Sequence, residues 1–484
     1  MPPLARPPIA VLHPYWTLWE HTAGPTFRQD RLDLARRLAG SLSDAFEPVL
    51  VAETASIEDG RRLGAELAVR RLDAVLIVQT MAVPSAYALA LTDQLPNVPI
   101  VLWALHETGL VGGDFDHGGI TTQGATVGAP MLTAMFARTC RPFELVLGRM
   151  DDPVTLGRVR DALRVATVAS GIRRARLGRI GPRIEGYLHV DVPDAELRAG
   201  LGIEAVSVDP DEVVDAYRAV GATRLAELDA ETRAGWVFEE DVVSGESLER
   251  SLRAALALED VVAAHGLDGG AFNCHIPQFR FGDTIGIAPC WGLGRLTSMG
   301  MPFTCTGDIL TAVAMLLTKR LGAASLYHEI EAIDYATGEV VIANSGEHDL
   351  AWMDVPGSPG SARAAGERPR MRRNGWFCGK DAHCGVCAVM EPPAGPASLV
   401  GFAPHPDARG GFRFVVARGE LTQRRFPETG TANGAFRFRD GTVEEAWARW
   451  AATGVNHHSS ATPGDVSGAV SAVAGLLGVE AVIV

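Results

Sequence analysis

Short apolar runs recur along the first third of the chain, at Ile9 to Leu12, Pro48 to Val51, Ala74 to Val78 and Val98 to Trp103. Between them lie stretches with apolar residues near helical spacing, Arg31 to Leu42 and Gly60 to Arg71. Strands buried on both faces read as continuous apolar runs, so this alternation predicts a parallel sheet covered by helices on both sides. The pattern repeats over residues 166–350. Ile203 to Ser207 and Glu339 to Ala343 read as strands, and Pro210 to Arg218, Leu248 to Ala263 and Asp308 to Lys319 as helices. A Pro-, Gly-, Ser- and Arg-rich stretch, Pro356 to Arg373, then marks a boundary or long loop. Beyond it, Leu399 to Phe402, Phe412 to Ala417 and Phe436 to Phe438 are short strands with turn signals, followed by a helix, Asp465 to Leu477, and a last strand, Ala481 to Val484. The predicted fold class is α/β: two doubly wound, Rossmann-like parallel-sheet domains (1–165 and 166–350) and a C-terminal antiparallel β domain (351–484). No repeat of 20–50 residues interrupts this plan.

Composition changes the picture little. A chain of 484 residues with 47% hydrophobic and 21% charged residues is ordinary for a multidomain globular protein. A formal net charge of −14 argues against a general nucleic-acid binder. The basic cluster from Arg363 to Arg373 sits among Gly, Pro and Ser and reads as a mobile loop. The first residues carry no long apolar run, and no uncharged apolar stretch is long enough to span a bilayer, so neither export nor a membrane is expected. Seven cysteines fit reduced thiols better than a disulfide framework, which makes the cytoplasm the expected compartment. Cys378, Cys384 and Cys387 form C-x5-C-x2-C beside His383. A zinc site would need a second well-spaced pair or all four of these groups, so an ordinary loop or a thiol facing substrate is the leading reading. Cys274, Cys290 and Cys305 read as small buried residues. No phosphate-cradling P-loop is present, and Gly292-Leu-Gly294 lacks the third glycine of a dinucleotide fingerprint.

Parallel sheets bind ligands at the carboxyl ends of their strands. Gln79, His106, Glu107 and Thr108 fall just past such ends and are candidate substrate contacts. A second set gathers carboxylates and histidines: Asp308, Glu329, His348, and His457 with His458. Carboxylate oxygens and imidazole nitrogens suit a hard or borderline divalent ion, and such an ion polarises a carbonyl and a neighbouring hydroxyl. Asp308 also suits a helix start, where its carboxylate takes free backbone N–H groups. Glu329 stands among Glu331, Asp334 and Glu339, a pattern that equally fits a solvated face.

The order of these segments resembles the L-arabinose isomerase and L-fucose isomerase superfamily. Gly300 to Asp308 is similar to the family's Glu-Gly-Asp segment, Ser325 to Ile330 to its second acidic segment, Val340 to His348 to its histidine segment, and His457-His458 to its C-terminal Gly-x-x-His-His. Arg176 to Gly181, with Val190 to Leu197, is similar to the family's linking segment, and Gly395 to Val400 to its entry into the C-terminal β domain. The resemblance implies a metal-dependent aldose–ketose isomerase and a divalent ion, Mn first, with Zn, Fe or Co as alternatives. It implies Glu329, His348 and His458 as metal ligands, and Glu329, Asp308 and Thr306 at the catalytic positions. His106, with His457, is then expected to contact a sugar or similar small molecule, and Gln79 joins them on its strand-end position alone. His106 would come from a neighbouring subunit, since Leu105-His-Glu-Thr108 is similar to a family segment placed that way. The chain is therefore expected to be a homo-oligomer with an inter-subunit active site.

One departure stands out: Thr306 occupies the position of the family's first glutamate. A threonine hydroxyl is a poor base and a weak ligand, so one of two proton-shuttling carboxylates is missing. The leading reading is a divergent sugar isomerase. The alternatives are an epimerase, decarboxylase or lyase of a hydroxy acid on the same scaffold, or a non-catalytic sugar-binding protein.

Overall fold

The run Ala74–Gln79 forms a strand buried along its whole length, because helices cover both faces of the sheet it belongs to. In this computed structural model, residues 6–107, 109, 111–239, 245–344, 348–354, 370–374 and 383–484 are described. The chain divides into two compact units, Met1–Arg173 with Gly475–Gly478, and Arg174–Ala474 with Val479–Val484.

The first unit holds strands β1 (Pro8–Pro14), β2 (Glu47–Thr54), β3 (Ala74–Gln79), β4 (Ile100–His106) and β5 (Phe143–Arg149). They form one parallel sheet in the order 2-1-3-4-5. Helices Phe27–Leu42 and Pro153–Arg173 pack on strands of this sheet, as do Ile57–Ala68 and Ala125–Arg138. Leu12, Leu63, Leu67, Ile77, Leu102 and Leu132 meet in one core. Each such buried side chain contributes roughly 1.5–3 kcal/mol. Helix Ile57–Ala68 begins at Ser56, whose side chain accepts the Asp59 N–H at 3.0 Å.

The second unit holds β6 (Arg176–Ile180), β7 (Glu204–Val208), β8 (Val237–Phe238), β9 (Gly269–Phe272), β10 (Phe303–Thr304), β11 (Leu326–Asp334) and β12 (Glu339–Ala343). They are followed by β13 (Arg370–Arg373), β14 (Val386–Val389), β15 (Gly395–Pro404), β16 (Phe412–Leu421), β17 (Asn433–Phe438), β18 (His458–Pro463) and β19 (Glu480–Ile483). Strands β10-β9-β6-β7 make a four-stranded parallel sheet. Strands β15-β18-β11-β12-β17-β16 pair antiparallel, and β15 also pairs with β16, so the six close into a barrel; β19 adds to β16 in parallel. Closure leaves no open edge among the six. Strands β14, β13 and β8 make a small third sheet. The fold is thus α/β, with two Rossmann-like parallel sheets and an antiparallel-rich sheet toward the C-terminus, as the alternation of patterns predicted.

Helix Ile309–Arg320 links the two larger sheets of this unit. It packs on β9 and β10 and also on β15 and β18, and its residues 309–318 are all buried. A helix that is apolar all round is the expected sequence for such a position. The ion pair Lys319–Asp349 at 2.6 Å fastens its C-terminal end, and the Ser325 N–H donates to the same carboxylate at 2.8 Å.

Two expectations need correction. The basic stretch read as a loop ends in strand β13, Arg370–Arg373, paired on both sides; residues 355–369 lie outside the described residues. Cys384 is disulfide-bonded, so the thiols are not all reduced and Cys384 is not available to zinc; Cys378 lies outside the described residues. The Cys387 thiol is buried and faces the Gly430 carbonyl at 3.8 Å. Among the described residues, no helix is long and apolar enough to cross a membrane.

Candidate metal and proton-transfer site

Three chain segments place the site. Strand β10 ends at Thr304, and the turn after it delivers Asp308 to the N-terminus of helix Ile309–Arg320. Strand β11 carries Glu329, and β18 begins with His458 directly opposite it in the antiparallel ladder. Side chains paired in this way stand about 4.5–5.5 Å apart at Cβ, so the register alone brings the carboxylate and the imidazole together.

Asp308 serves two purposes. Its Oδ1 accepts the Thr311 N–H at 2.8 Å as the helix cap, while Oδ2 lies 2.8 Å from His458 Nδ1. The helix-start role expected for Asp308 and a place in the site are thus not alternatives: the cap geometry turns the second oxygen toward His458. On the other side of the ring, His458 Nε2 lies 2.9 Å from Glu329 Oε1. Asn456 completes the frame. Its Oδ1 accepts the His458 N–H at 2.6 Å, and its Nδ2 donates to Asp308 Oδ1 at 3.3 Å. Tyr327 packs on the His458 ring, 4.5 Å between centroids.

The electrostatics follow from this geometry. Burial by itself lowers the His458 pKa, but hydrogen bonds and charge from Asp308 and Glu329 outweigh it and raise it to about 9. With both ring nitrogens facing carboxylate oxygens, His458 is an imidazolium in the metal-free chain, and a bound ion would take the place of the proton on Nε2. Burial pushes the Glu329 carboxyl up, yet its hydrogen bond to His458 and the charges of His458 and His457 hold it below its ordinary value. His457 shifts the other way: burial first and the His458 charge next lower it to about 4. Its imidazole is therefore neutral near pH 7, with a lone pair to offer.

Ligand atoms of Glu329, His457 and His458 all lie within 4.8 Å of one another, the only such group of His, Cys, Asp or Glu among the described residues. Two imidazoles and a carboxylate suit Mn²⁺, Zn²⁺ or a related ion. Asp308 would then hold His458 Nδ1–H and orient the ring, a usual outer partner of a metal-bound histidine.

The other expected residues fall elsewhere or play other parts. His348 bridges to Leu326 in the barrel and is buried; its Nε2 accepts the Ala432 N–H at 3.2 Å, and burial lowers its pKa to about 3. It is not in the Glu329–His457–His458 group. Thr306 takes a left-handed backbone (φ 54°), and its hydroxyl donates to the Cys305 carbonyl at 2.7 Å. His106 and Gln79 belong to the first unit. Gln79 is buried and donates to the Met81 carbonyl at 2.6 Å, and His106 ends β4 with a buried Nε2. Thr108 lies outside the described residues.

Several neighbours were missed from the sequence. The His189 ring lies 4.9 Å from His457, and Tyr187 packs against both. His328 is buried, with Nδ1 3.3 Å from the Leu326 carbonyl, so Nδ1 carries the proton and Nε2 accepts from the Ser459 hydroxyl at 3.1 Å. Asn456 could have been found, because it immediately precedes the histidine pair. Nothing in the local pattern marks His189.

No protein-family model matches the chain. It is similar to a protein of Alkalicoccus urumqiensis named sulfoquinovose isomerase, 22% identical over 329 residues, 67% of each chain.

Proposed function

We propose that the protein is a sugar isomerase that uses a divalent ion, Mn²⁺ first, held by Glu329, His457 and His458. The observation that carries this reading is the His458 imidazole held between Asp308 and Glu329, with His457 within reach of the same point. Similarity to a protein named sulfoquinovose isomerase supports the reaction class and suggests an aldose as substrate.

Aldose–ketose exchange moves one proton between neighbouring carbons and one between their oxygens, with no net oxidation. It needs a base beside the carbon and fixed positive charge or donors beside the oxygens. Glu329 is the base: its side chain is 34% exposed, whereas Asp308 is fully buried and acts by holding His458. A bound divalent ion would add Lewis-acid polarisation of the carbonyl and the adjacent hydroxyl. His189, Tyr187 and His457 form a ring-lined flank suited to sugar hydroxyls and C–H faces.

A homo-oligomer belongs to the same proposal. In the first unit, Leu145 and Leu147 on β5 and Val127 and Met131 one helical turn apart are exposed, which a second copy would cover. Light scattering on wild type and Leu147→Glu tests this; a wild-type monomer overturns it.

The deciding experiment incubates metal-loaded protein with sulfoquinovose and unsulfonated aldoses in D₂O and follows them by proton NMR. Ketose formation with deuterium uptake at the carbon next to the carbonyl is expected, and Glu329→Gln should abolish it. No turnover with any of Mn, Zn, Fe or Co sinks the reading. Thr306 favours one second reading. Its hydroxyl is turned onto Cys305, leaving Glu329 as the open carboxylate, which suits a one-base reaction of a hydroxy acid. Deuterium exchange or loss of CO₂ from hydroxy acids, without ketose formation from sugars, would select that reading.

A further inference from the structure

The first unit carries an unused polar cluster at the carboxyl edge of its sheet. In the order 2-1-3-4-5 the build-up of strands reverses between β1 and β3, and ligands of such sheets sit at that reversal. His13, near the end of β1, spans it: Nε2 lies 3.0 Å from the hydroxyl of Thr80, the residue after β3. His13 is fully buried, and its Nδ1 has no hydrogen-bond partner.

Arg31 reaches the same place from helix Phe27–Leu42. It is 6% exposed, its guanidinium lies 5.2 Å from the Phe27 ring centroid, and its Nε is buried without a hydrogen-bond partner. Arg31 pairs with Glu107, whose side chain is 34% exposed. Other charged groups here include the ion pairs Arg28 with Glu53 and Arg149 with Asp151, and Glu20, which accepts from the Tyr15 hydroxyl at 3.1 Å. Burial first and the nearby Arg31 next lower the His13 pKa to about 3, so His13 is neutral and cannot itself balance a charge. Two more buried atoms without partners, Thr54 Oγ1 and His106 Nε2, lie at the ends of β2 and β4 on this edge.

All four unpartnered groups can donate. Arg31 has no other option, and His13 Nδ1–H follows once the Thr80 hydroxyl donates to Nε2. A buried guanidinium needs a counter-charge, and here that charge is a carboxylate on a partly exposed residue just past the end of β4. We propose that this edge is an oxyanion site: a sulfonate, sulfate, phosphate or carboxylate replaces Glu107 on Arg31, with His13 as second donor. The Glu107 carboxylate already marks the position such a group takes. The proposal goes beyond the isomerase reading and does not depend on Glu329 chemistry.

The test is equilibrium dialysis of the full-length protein with labelled sulfate and labelled phosphate, at ionic strength held constant with chloride. Methanesulfonate and acetate serve as competitors. Saturable binding is expected, weakened at least about tenfold in Arg31→Gln and tightened in Glu107→Gln, which removes the resident carboxylate. Should Arg31→Gln fail to fold by circular dichroism, Thr80→Val, which frees His13 Nε2 from its hydroxyl, must weaken binding instead. Competition by methanesulfonate with no phosphate binding names a sulfonate or sulfate; phosphate binding names a phosphate ester; acetate competition names a carboxylate. Glu329→Gln must bind as wild type does, which separates this result from the fate of the isomerase reading. No saturable binding in folded wild type and Glu107→Gln, or unchanged binding in the Arg31 and Thr80 variants, overturns the proposal.

Discussion

His13 and His458 are both almost wholly buried, at 0% and 2% exposure, yet their imidazoles move in opposite directions, to about 3 and about 9. The desolvation cost works the same way on both. The partners differ: a hydroxyl and a nearby guanidinium around His13, two carboxylates around His458. Depth therefore does not decide whether a buried histidine is charged; its neighbours do. One unit thus presents a neutral ring beside a cation, a setting for an anion. The other presents a ring that carboxylates hold, a setting for a cation or a proton transfer.

The sharpest way to break the second setting is Glu329→Gln. The amide keeps the size of the side chain and removes the base, so turnover should drop by about 10²–10⁴-fold in the NMR assay. A smaller loss would remove Glu329 from the chemistry.

Next comes Asp308→Ala, which strips His458 of one carboxylate and the helix Ile309–Arg320 of its cap. A broken buried pair costs about 3–5 kcal/mol. The matched change His13→Gln removes no charge and should cost less, about 1–3 kcal/mol. Urea unfolding of the two variants compares them directly; equal losses would mean that charge adds nothing at His458.

The pH dependence sharpens the contrast further. His13 and His348, both lowered to about 3, are neutral in folded and unfolded chains above the ordinary value of 6.5. Below 6.5 the unfolded chain takes protons that the native state refuses. Stability should then fall by about 1.4 kcal/mol per pH unit for each of the two, down toward pH 3. His458 acts with the opposite sign in the metal-free protein: its contribution is complete below 6.5 and is lost as pH rises through about 9. Urea midpoints across this range should trace a dome, and His13→Gln should flatten the acid side by one proton. An unchanged acid slope would show that His13 titrates normally.

The smallest effect is at Thr306. A β-branched residue in the left-handed region is strained, so Thr306→Gly should stabilise by about 1 kcal/mol. A loss of stability instead would show that the hydroxyl bond to Cys305 outweighs the strain.

Much of the fold was legible. The apolar runs at residues 9–12, 74–78 and 98–103 became β1, β3 and β4, because a strand covered on both faces needs apolar side chains at every position. Glu339 to Ala343 became β12 with the bounds read from its alternation with flanking turns. Barrel closure was not legible. The pairings of β18 with β11 and with β15 join residues far apart in sequence, and no local pattern encodes which edges meet. At the site, Glu329 and His458 were nameable only through resemblance. Their own surroundings, a run of acidic residues and a histidine doublet, are equally at home on a solvated surface.

Sequence by itself determined which segments could be strands and helices, and which residue types were available for chemistry. Periodicity and side-chain identity are local properties that survive in the unfolded chain. Tertiary structure alone decided what those residues became. The β11–β18 register put Glu329 opposite His458, and the cap of helix Ile309–Arg320 aimed the second oxygen of Asp308 at the same ring. The barrel drew His348 into a bond with the Ala432 N–H. Charge state, ligand capacity and strain depend on distance and burial, and both are set by packing between segments that are remote along the chain.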